Sequence, residues 1–416
     1  MGPEAHLLIV GRESDIPLPL TSHTAPEGFA RSRPDPPVRG RAIERTSEHA
    51  SSHGLNTPDP EDGRWVLITD DNYGKASGSV AAVRALAAAG YHPAVAFSTP
   101  ISLAASSRHC VRQIRVPNHR SDEYVEAIGA ELDSRSYLTV LPTTDISLRA
   151  LNRPEIRFLD KARLAQLASG AGLEIPPTTL YSSTDELLHE AGRLDYPVMV
   201  KPAVKHAARV AHSPEDLRWW SGRAGEVLVQ PYLRDAEYGV AGVVWEGTMV
   251  ASVRQRHIRT WPPDAGSACA AQTVAVDREI EAGLLRLLEG YNGIFEADFM
   301  GRYLIDVNPR VYASLLLAVA AGANLVGLYC DLLRGKKVPR VEARPGVFYR
   351  WLDADIRNLI GAWRDDKMGA GEALEALKPK RGTVYALESS DDPRPTVARV
   401  RYGLRTGRWR RAYARG

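Results

Sequence analysis

The run GIFEADFMGRYLIDVN, residues 293–308, constrains the chain more than any other segment. Two β-forming stretches meet at a very tight turn at Gly301, so they fold back on each other as an antiparallel hairpin. That places Asp298 on one arm close to Asp306 on the other. On the second arm Asp306, Asn308 and Arg310 follow at every second position, which is the strand period, so they share a face. Val307 and Val311 fit the opposite face, with Pro309 interrupting the alternation. Such a strand end is either a solvated edge or a metal–phosphate site. A carboxylate and an amide oxygen are hard donors suited to Mg²⁺, and a guanidinium beside them can grip phosphate oxygens.

The chain can hold a sizeable core: 416 residues correspond to about two or three packed units. A net charge of +3 is close to neutral at this size and does not suggest a nucleic-acid partner. Cys110, Cys269 and Cys330 lie far apart without metal spacing, a sparse, odd set that fits a reducing cytoplasm. No apolar run approaches the roughly 20 residues that span a bilayer. The N-terminus lacks the charged and long apolar regions of a secretory signal. The expectation is a soluble, cytoplasmic protein that needs no membrane.

Residues 1–62 are rich in Pro, Arg, Ser, Glu and His after HLLIV and read as a disordered leader. Order is expected from RWVLITD onward. Strands alternate with an Ala-rich helix ending at Gly90 and a helix around 122–133, which predicts a doubly wound parallel sheet over 63–152. A helix after Leu159, a capped segment from Ser183 and the buried strand YPVMVKPA make up 153–225. The region 226–340 holds the strand EVLVQPYL, a hairpin turning at Glu246-Gly247, an amphipathic helix over 277–293, the acidic hairpin and a strongly helical stretch from Ser314. Short strands and helices fill 341–416. The fold class expected is α/β (α+β), with no internal repeat.

Polar residues collect at the ends of apolar strands: Lys201 on one, Gln230 and Glu237 flanking another, then Asp298, Asp306, Asn308 and Arg310. Facing carboxylates repel unless a cation lies between them, which is the physical case for Mg²⁺. A lysine after a buried strand offers a point charge to phosphate.

In order, DK…YPVMVKP…VLVQPYL…E…GIFEADF…YLIDVNPR resembles the ATP-grasp superfamily, in its carboxylate–amine ligase and carbamoyl-phosphate-synthetase-like branch. The resemblance covers 64–335, and its acidic-x-Asn-Pro-Arg end is its most specific part. It implies two α+β subdomains clamping ATP behind the N-terminal sheet. It implies that Lys161 and Lys201 hold ATP phosphates, that Gln230, Tyr232 and Leu233 lie at the adenine hinge, and that Glu237 binds ribose. Mg²⁺ or Mn²⁺ falls to Asp298, Asp306 and Asn308, and transferred phosphoryl charge to Arg310. The family pattern selects Asp298 over Glu296, although Glu296 shares its strand face and stays open as a ligand.

Two features depart from that family. The phosphate-covering loop KPAVKHAARVAHSPEDL is short and Gly-free, with Lys205, His206 and Arg209 as its basic residues. The connection between Asp298 and Asp306 is also short. In RQRHIRTWPPDAGSACAAQT, Arg254, Arg256 and Arg259 are candidates for a substrate carboxylate, and Gly266 and Ser267 for close approach to phosphate. The alternative there is an irregular surface loop over Trp261.

Other signals are weaker. DDNYGKASGS sits where a P-loop would, but Thr69 stands where the first glycine belongs. The eleven histidines show no zinc spacing. Arginines from Arg394 to Arg415, interleaved with Tyr402, Trp409 and Tyr413, form either a basic patch or a solvated tail. The reading is an ATP-dependent ligase joining a small-molecule carboxylate to an amine, with a homodimer as an open option. The alternatives are a nucleotide-binding regulator without ligation and a P-loop ATPase using Gly74-Lys75.

Overall fold

The computed structural model describes residues 62–70, 77–119, 121–203, 208–263 and 266–406. The leader up to residue 61, Gly74-Lys75, Lys205, His206 and the arginines beyond Thr406 lie outside the described residues.

The first sheet joins β1 (Trp65–Asp70), β2 (His92–Phe97), β3 (Arg112–Arg115) and β4 (Tyr137–Leu141) in the order β3-β2-β1-β4, all parallel. β1 is buried on both faces, which explains its unbroken apolar run. On one face Trp65 and Leu67 pack with Tyr124 and Ile128 of α2 (Glu123–Asp133); on the other Val66 and Ile68 meet Val80, Val83 and Leu86 of α1 (Ser77–Ala88). A short α3 (Asp145–Ala150) follows β4, its first turn closed by a reciprocal Thr144–Ser147 capping box.

Next come α4 (Lys161–Gly170), β5 (Thr179–Tyr181), α5 (Thr184–His189), β6 (Val198–Pro202), β7 (Arg209–Ala211) and β8 (Val227–Pro231). The predicted cap is present, with the Ser183 hydroxyl accepting from Glu186 N–H. The second sheet runs β5-β8-β6-β7, antiparallel throughout. This moves the boundary expected at 225/226: β8 is an inner strand of the small sheet and cannot be cut from it. α4 also departs from the 153–225 grouping, because Leu164 and Ala168 pack with Leu284, Leu287 and Phe295 below the third sheet.

That third sheet contains β9 (Glu237–Trp245), β10 (Thr248–Trp261) and β11 (Ser267–Val274), then, after α6 (Arg278–Leu287), β12 (Gly293–Met300) and β13 (Tyr303–Asn308). The helical stretch from Ser314 is two helices, α7 (Leu315–Ala320) and α8 (Leu325–Leu333), with Asn324 capping the second through Gly327 N–H. The remainder is β14 (Val341–Glu342), β15 (Phe348–Arg350), α9 (Leu352–Arg364), α10 (Ala370–Leu377), β16 (Val384–Tyr385) and α11 (Arg394–Thr406). The sheet order is β13-β12-β9-β10-β11-β15-β16, with β14 on β10. The region after 340 is therefore built into the large sheet rather than appended. It also reaches the first sheet, where Arg84 Nε of α1 donates to Asp392 at 3.0 Å.

Candidate functional site: a cleft lined by strand ends

Hairpin register sets the centre of the site. Asp298 pairs directly with Asp306, and Glu296 with Asn308, across β12 and β13. The turn is possible because Gly301 takes φ +58°, where a side chain is disfavoured. All four residues and Arg310 line one cleft of about 1300 Å³. The small sheet contributes Lys201, Gln230, Tyr232 and Leu233 to the same cleft, and Lys161, Glu237, Gly266 and Ser267 line it too. Eleven residues singled out at strand ends and loops thus converge on one volume, together with Glu296 and Arg310.

The polar groups are linked. Lys161 Nζ donates to Asp306 Oδ1 at 2.9 Å. Asn308 Nδ2 donates to Asp298 Oδ2 at 3.4 Å, and its Oδ1 accepts from Arg310 at 2.8 Å. Arg310 Nε donates to Asp145 Oδ1 at 2.5 Å, so the start of α3 aims the guanidinium. Gln230 Nε2 donates to Thr178 Oγ1 at 2.9 Å.

Burial and crowding perturb these groups. Burial, with the charges of Glu237 and Asp306, pushes the Asp298 carboxyl up to about 7, against the opposing pull of His257 and Lys161. Glu296 lies well above the usual carboxylate range, first through burial and then through the charge of Asp298. Burial, reinforced by Lys161, lowers Lys201 to about 8. Carboxylates crowded in this way repel one another unless a cation lies between them. Two facing carboxylates and an amide oxygen are a hard donor set, so Asp298, Asp306 and Asn308 fit Mg²⁺ or Mn²⁺.

Two predicted substrate arginines are corrected. Arg256 is exposed and does not line the cleft. Arg259 is held by the buried Asp355, with Nε and Nη2 donating at 2.6 and 3.1 Å. Arg254 stacks on Tyr238, its Cζ 4.5 Å from the ring centre. The opposite face of the same strand is the one turned to the cleft. His257 lines the cleft, and its Nδ1 lies 3.0 Å from Glu237 Oε1. Burial disfavours its charged form, but the hydrogen bond and charge of Glu237, with Asp298, outweigh this and raise its pKa. Ligand atoms of Glu237, His257 and Asp298 come within 4.8 Å of one another. Gln255 donates to Glu296 at 3.2 Å and to Ser314 at 2.7 Å. The signal for both was in the sequence: Gln255 and His257 alternate with Arg254 and Arg256, so the two pairs had to face opposite ways. Asp145 gave no strand-end signal at all.

Comparison with known proteins gives this geometry its context. No family model matches the chain. A carbamoyl phosphate synthase large chain from Thermotoga sp. (strain RQ2) is 24% identical over 254 residues, covering 54% of this chain. A formate-dependent phosphoribosylglycinamide formyltransferase from Prochlorococcus marinus (strain MIT 9313) is 31% identical over 147 residues, 32% of this chain and 34% of that one. Among solved structures, the ADP complex of an N5-carboxyaminoimidazole ribonucleotide synthetase superposes with a TM-score of 0.55 at 15% identity, covering 74% of this chain and 86% of that one. The chain has the ATP-grasp fold. An L-amino acid ligase from Bacillus licheniformis shares the ATP-grasp fold at a TM-score of 0.52 and 13% identity, over 65% of this chain and 74% of that one. The chain spans only 22% of the length of the Thermotoga synthase. Among the described residues, no helix is long and apolar enough to cross a membrane.

Proposed function

We propose that this ATP-grasp protein is an ATP- and Mg²⁺-dependent ligase that joins a carboxylate to an amine through an acyl phosphate. The observation that carries the reading is the paired Asp298 and Asp306, with Asn308 and Arg310 beyond them and Lys161 and Lys201 in the same cleft. Relatives named for carbamoyl phosphate synthesis, and structural neighbours named for an ADP complex and for amino-acid ligation, support it. The substrate class it favours is an amino acid or small peptide.

Asp298, Asp306 and Asn308 would hold the metal, which supplies charge neutralisation to the triphosphate. Lys201 and Lys161 carry positive charge to the phosphate oxygens, and Lys161 exchanges Asp306 for phosphate as nucleotide enters. Gln230, Tyr232 and Leu233 bound the adenine end. Glu237 accepts from ribose hydroxyls while His257 holds its Oε1. Arg310, oriented by Asp145 and Asn308, faces the charge that develops on the transferred group. Attack of the amine on the acyl phosphate forms the C–N bond and expels phosphate. Positioning and charge account for most of the acceleration.

The test is ADP release from Mg²⁺-ATP with pooled amino acids, with hydroxylamine present to trap an activated carboxylate. The expected result is ADP together with a hydroxamate. A folded protein that binds ATP but forms neither would overturn the ligase reading in favour of a nucleotide-responsive regulator.

A further inference from the structure

One wall of the cleft carries polar atoms that the protein leaves unpaired. Tyr312 follows the metal-site strand, and Trp351 opens α9; both side chains line the cleft at 1% and 4% exposure. Neither Tyr312 Oη nor Trp351 Nε1 has a hydrogen-bond partner among the described residues. Buried polar atoms are nearly always paired, so two orphans on one wall call for an explanation. An indole N–H can only donate. Whatever pairs with Trp351 must therefore present an acceptor.

The wall is tightly built. A Cβ on Gly78, in the first turn of α1, would lie 2.4 Å from the Tyr312 carbonyl oxygen, so only glycine lets α1 approach this loop. Tyr349 Oη donates to Ala313 O at 3.4 Å, and Trp351 N–H donates to Cys269 O at 2.8 Å. Gln255 ties Glu296 to Ser314 on the same loop. Glu296 faces the cleft at 9% exposure, with Gln255 on Oε1 and no partner for Oε2 among the described residues.

The wall thus offers two donors and one carboxylate oxygen. An acceptor oxygen there gives nothing to an anion such as free phosphate. It favours a ligand with N–H groups on one side and oxygen acceptors on the other. We propose that this wall is the subsite for an amine-bearing substrate of the α-amino-acid type. Glu296 accepts from the amino group, while Trp351 Nε1–H and the Tyr312 hydroxyl donate to its oxygen atoms. The subsite rests on the ligase reading, which supplies the need for such a substrate. Trp351 comes from the segment after residue 340, beyond the motifs that carry the ATP-grasp resemblance, so substrate choice is assigned to the part of the chain most particular to it.

The test uses the full chain with a non-hydrolysable ATP analogue and Mg²⁺. The probes are the common L-amino acids and their 2-hydroxy analogues, followed by calorimetry. At least one amino acid should bind, and its 2-hydroxy analogue should bind about tenfold more weakly. Glu296→Gln should weaken the amino acid about tenfold and Trp351→Phe several-fold, and Trp351→Phe should keep its affinity for the ATP analogue within about twofold. Circular dichroism and retained analogue binding separate this from misfolding. Equal binding of the 2-hydroxy analogue, unaltered affinity in both folded variants, or no binding across the panel overturns the proposal. Amino-acid binding without any ADP release on supplying ATP and carboxylates would instead overturn the ligase reading and leave the subsite standing.

Discussion

Two regions of the large sheet, the β12–β13 hairpin and β10, carry charged residues at the strand period, yet they use them differently. On β12 and β13 the acidic residues share the face turned to the cleft. On β10 the arginines take the other face or a bulged position, while Gln255 and His257 turn towards the site and Trp261 lines it at the strand's end. Alternation in a strand says which residues go together, not which face is the functional one. On β13 apolar Val307 marks the core side, so the polar face is identified by elimination. On β10 both faces are polar, and the choice falls to what packs beside them.

The comparison makes charges in the cleft matter for turnover and charges turned into the fold matter for stability. The largest effect should come from Arg310→Ala. Turnover is expected to fall by about three orders of magnitude, with ATP affinity changed little, read from ADP release beside calorimetric ATP binding. Arg256→Ala, on the exposed face, should stay within about twofold in the same assays. A comparable loss for both would break the distinction.

Asp298→Asn should cut Mg²⁺-dependent ADP release by at least about a hundredfold. It should not destabilise the metal-free protein, because it removes a buried charge from beside like charges. Urea denaturation without metal reads the second half, and a clear loss of stability there would show Asp298 to be a structural carboxylate.

Arg259→Ala is the converse. It takes one partner from Asp355, which is wholly buried and keeps Arg350 at 3.0 Å. A loss of about 2–3 kcal/mol in urea denaturation is expected, with substrate KM unaltered in the residual folded enzyme. A raised KM at full stability would return Arg259 to the site.

Asp392 gives the smallest effect and a pH signature. Burial acts against its charge, but Ser107, the Arg108 N–H and Arg84 prevail and hold its pKa below 3.8. A carboxyl lowered on folding contributes stability above its unfolded pKa and loses it as pH falls through the folded value. Asp392→Asn should therefore cost about 1 kcal/mol at pH 7, and the gap to the unmodified protein should close as pH falls through the lowered folded value. A gap that persists in acid would mean the lost interaction does not depend on charge.

Much of the fold was legible because its signals are local. β1 reads as a strand from six consecutive residues, the Gly301 hairpin from its turn, and the Ser183 cap from one hydroxyl and its spacing. The domain boundary at 225 was misplaced because β8 joins β5 and β6 through pairing between residues far apart in the chain. His257 carries no local signal that puts its face ahead of that of Arg254 and Arg256 around it, because both faces of this end of β10 are polar.

The order of motifs from Lys161 to Arg310 pointed to the ATP-grasp fold, and strand period with one tight turn placed Asp298 opposite Asp306. Both follow from short-range geometry, which a linear sequence records directly. Tertiary structure decided that Asp145 orients Arg310, that Asp355 withdraws Arg259 from the cleft, and that Trp351 joins its wall. The first two contacts join residues 165 and 96 apart in the chain, and each of the three depends on which faces pack together. Side-chain chemistry alone does not encode that choice; the burial of the surrounding core makes it.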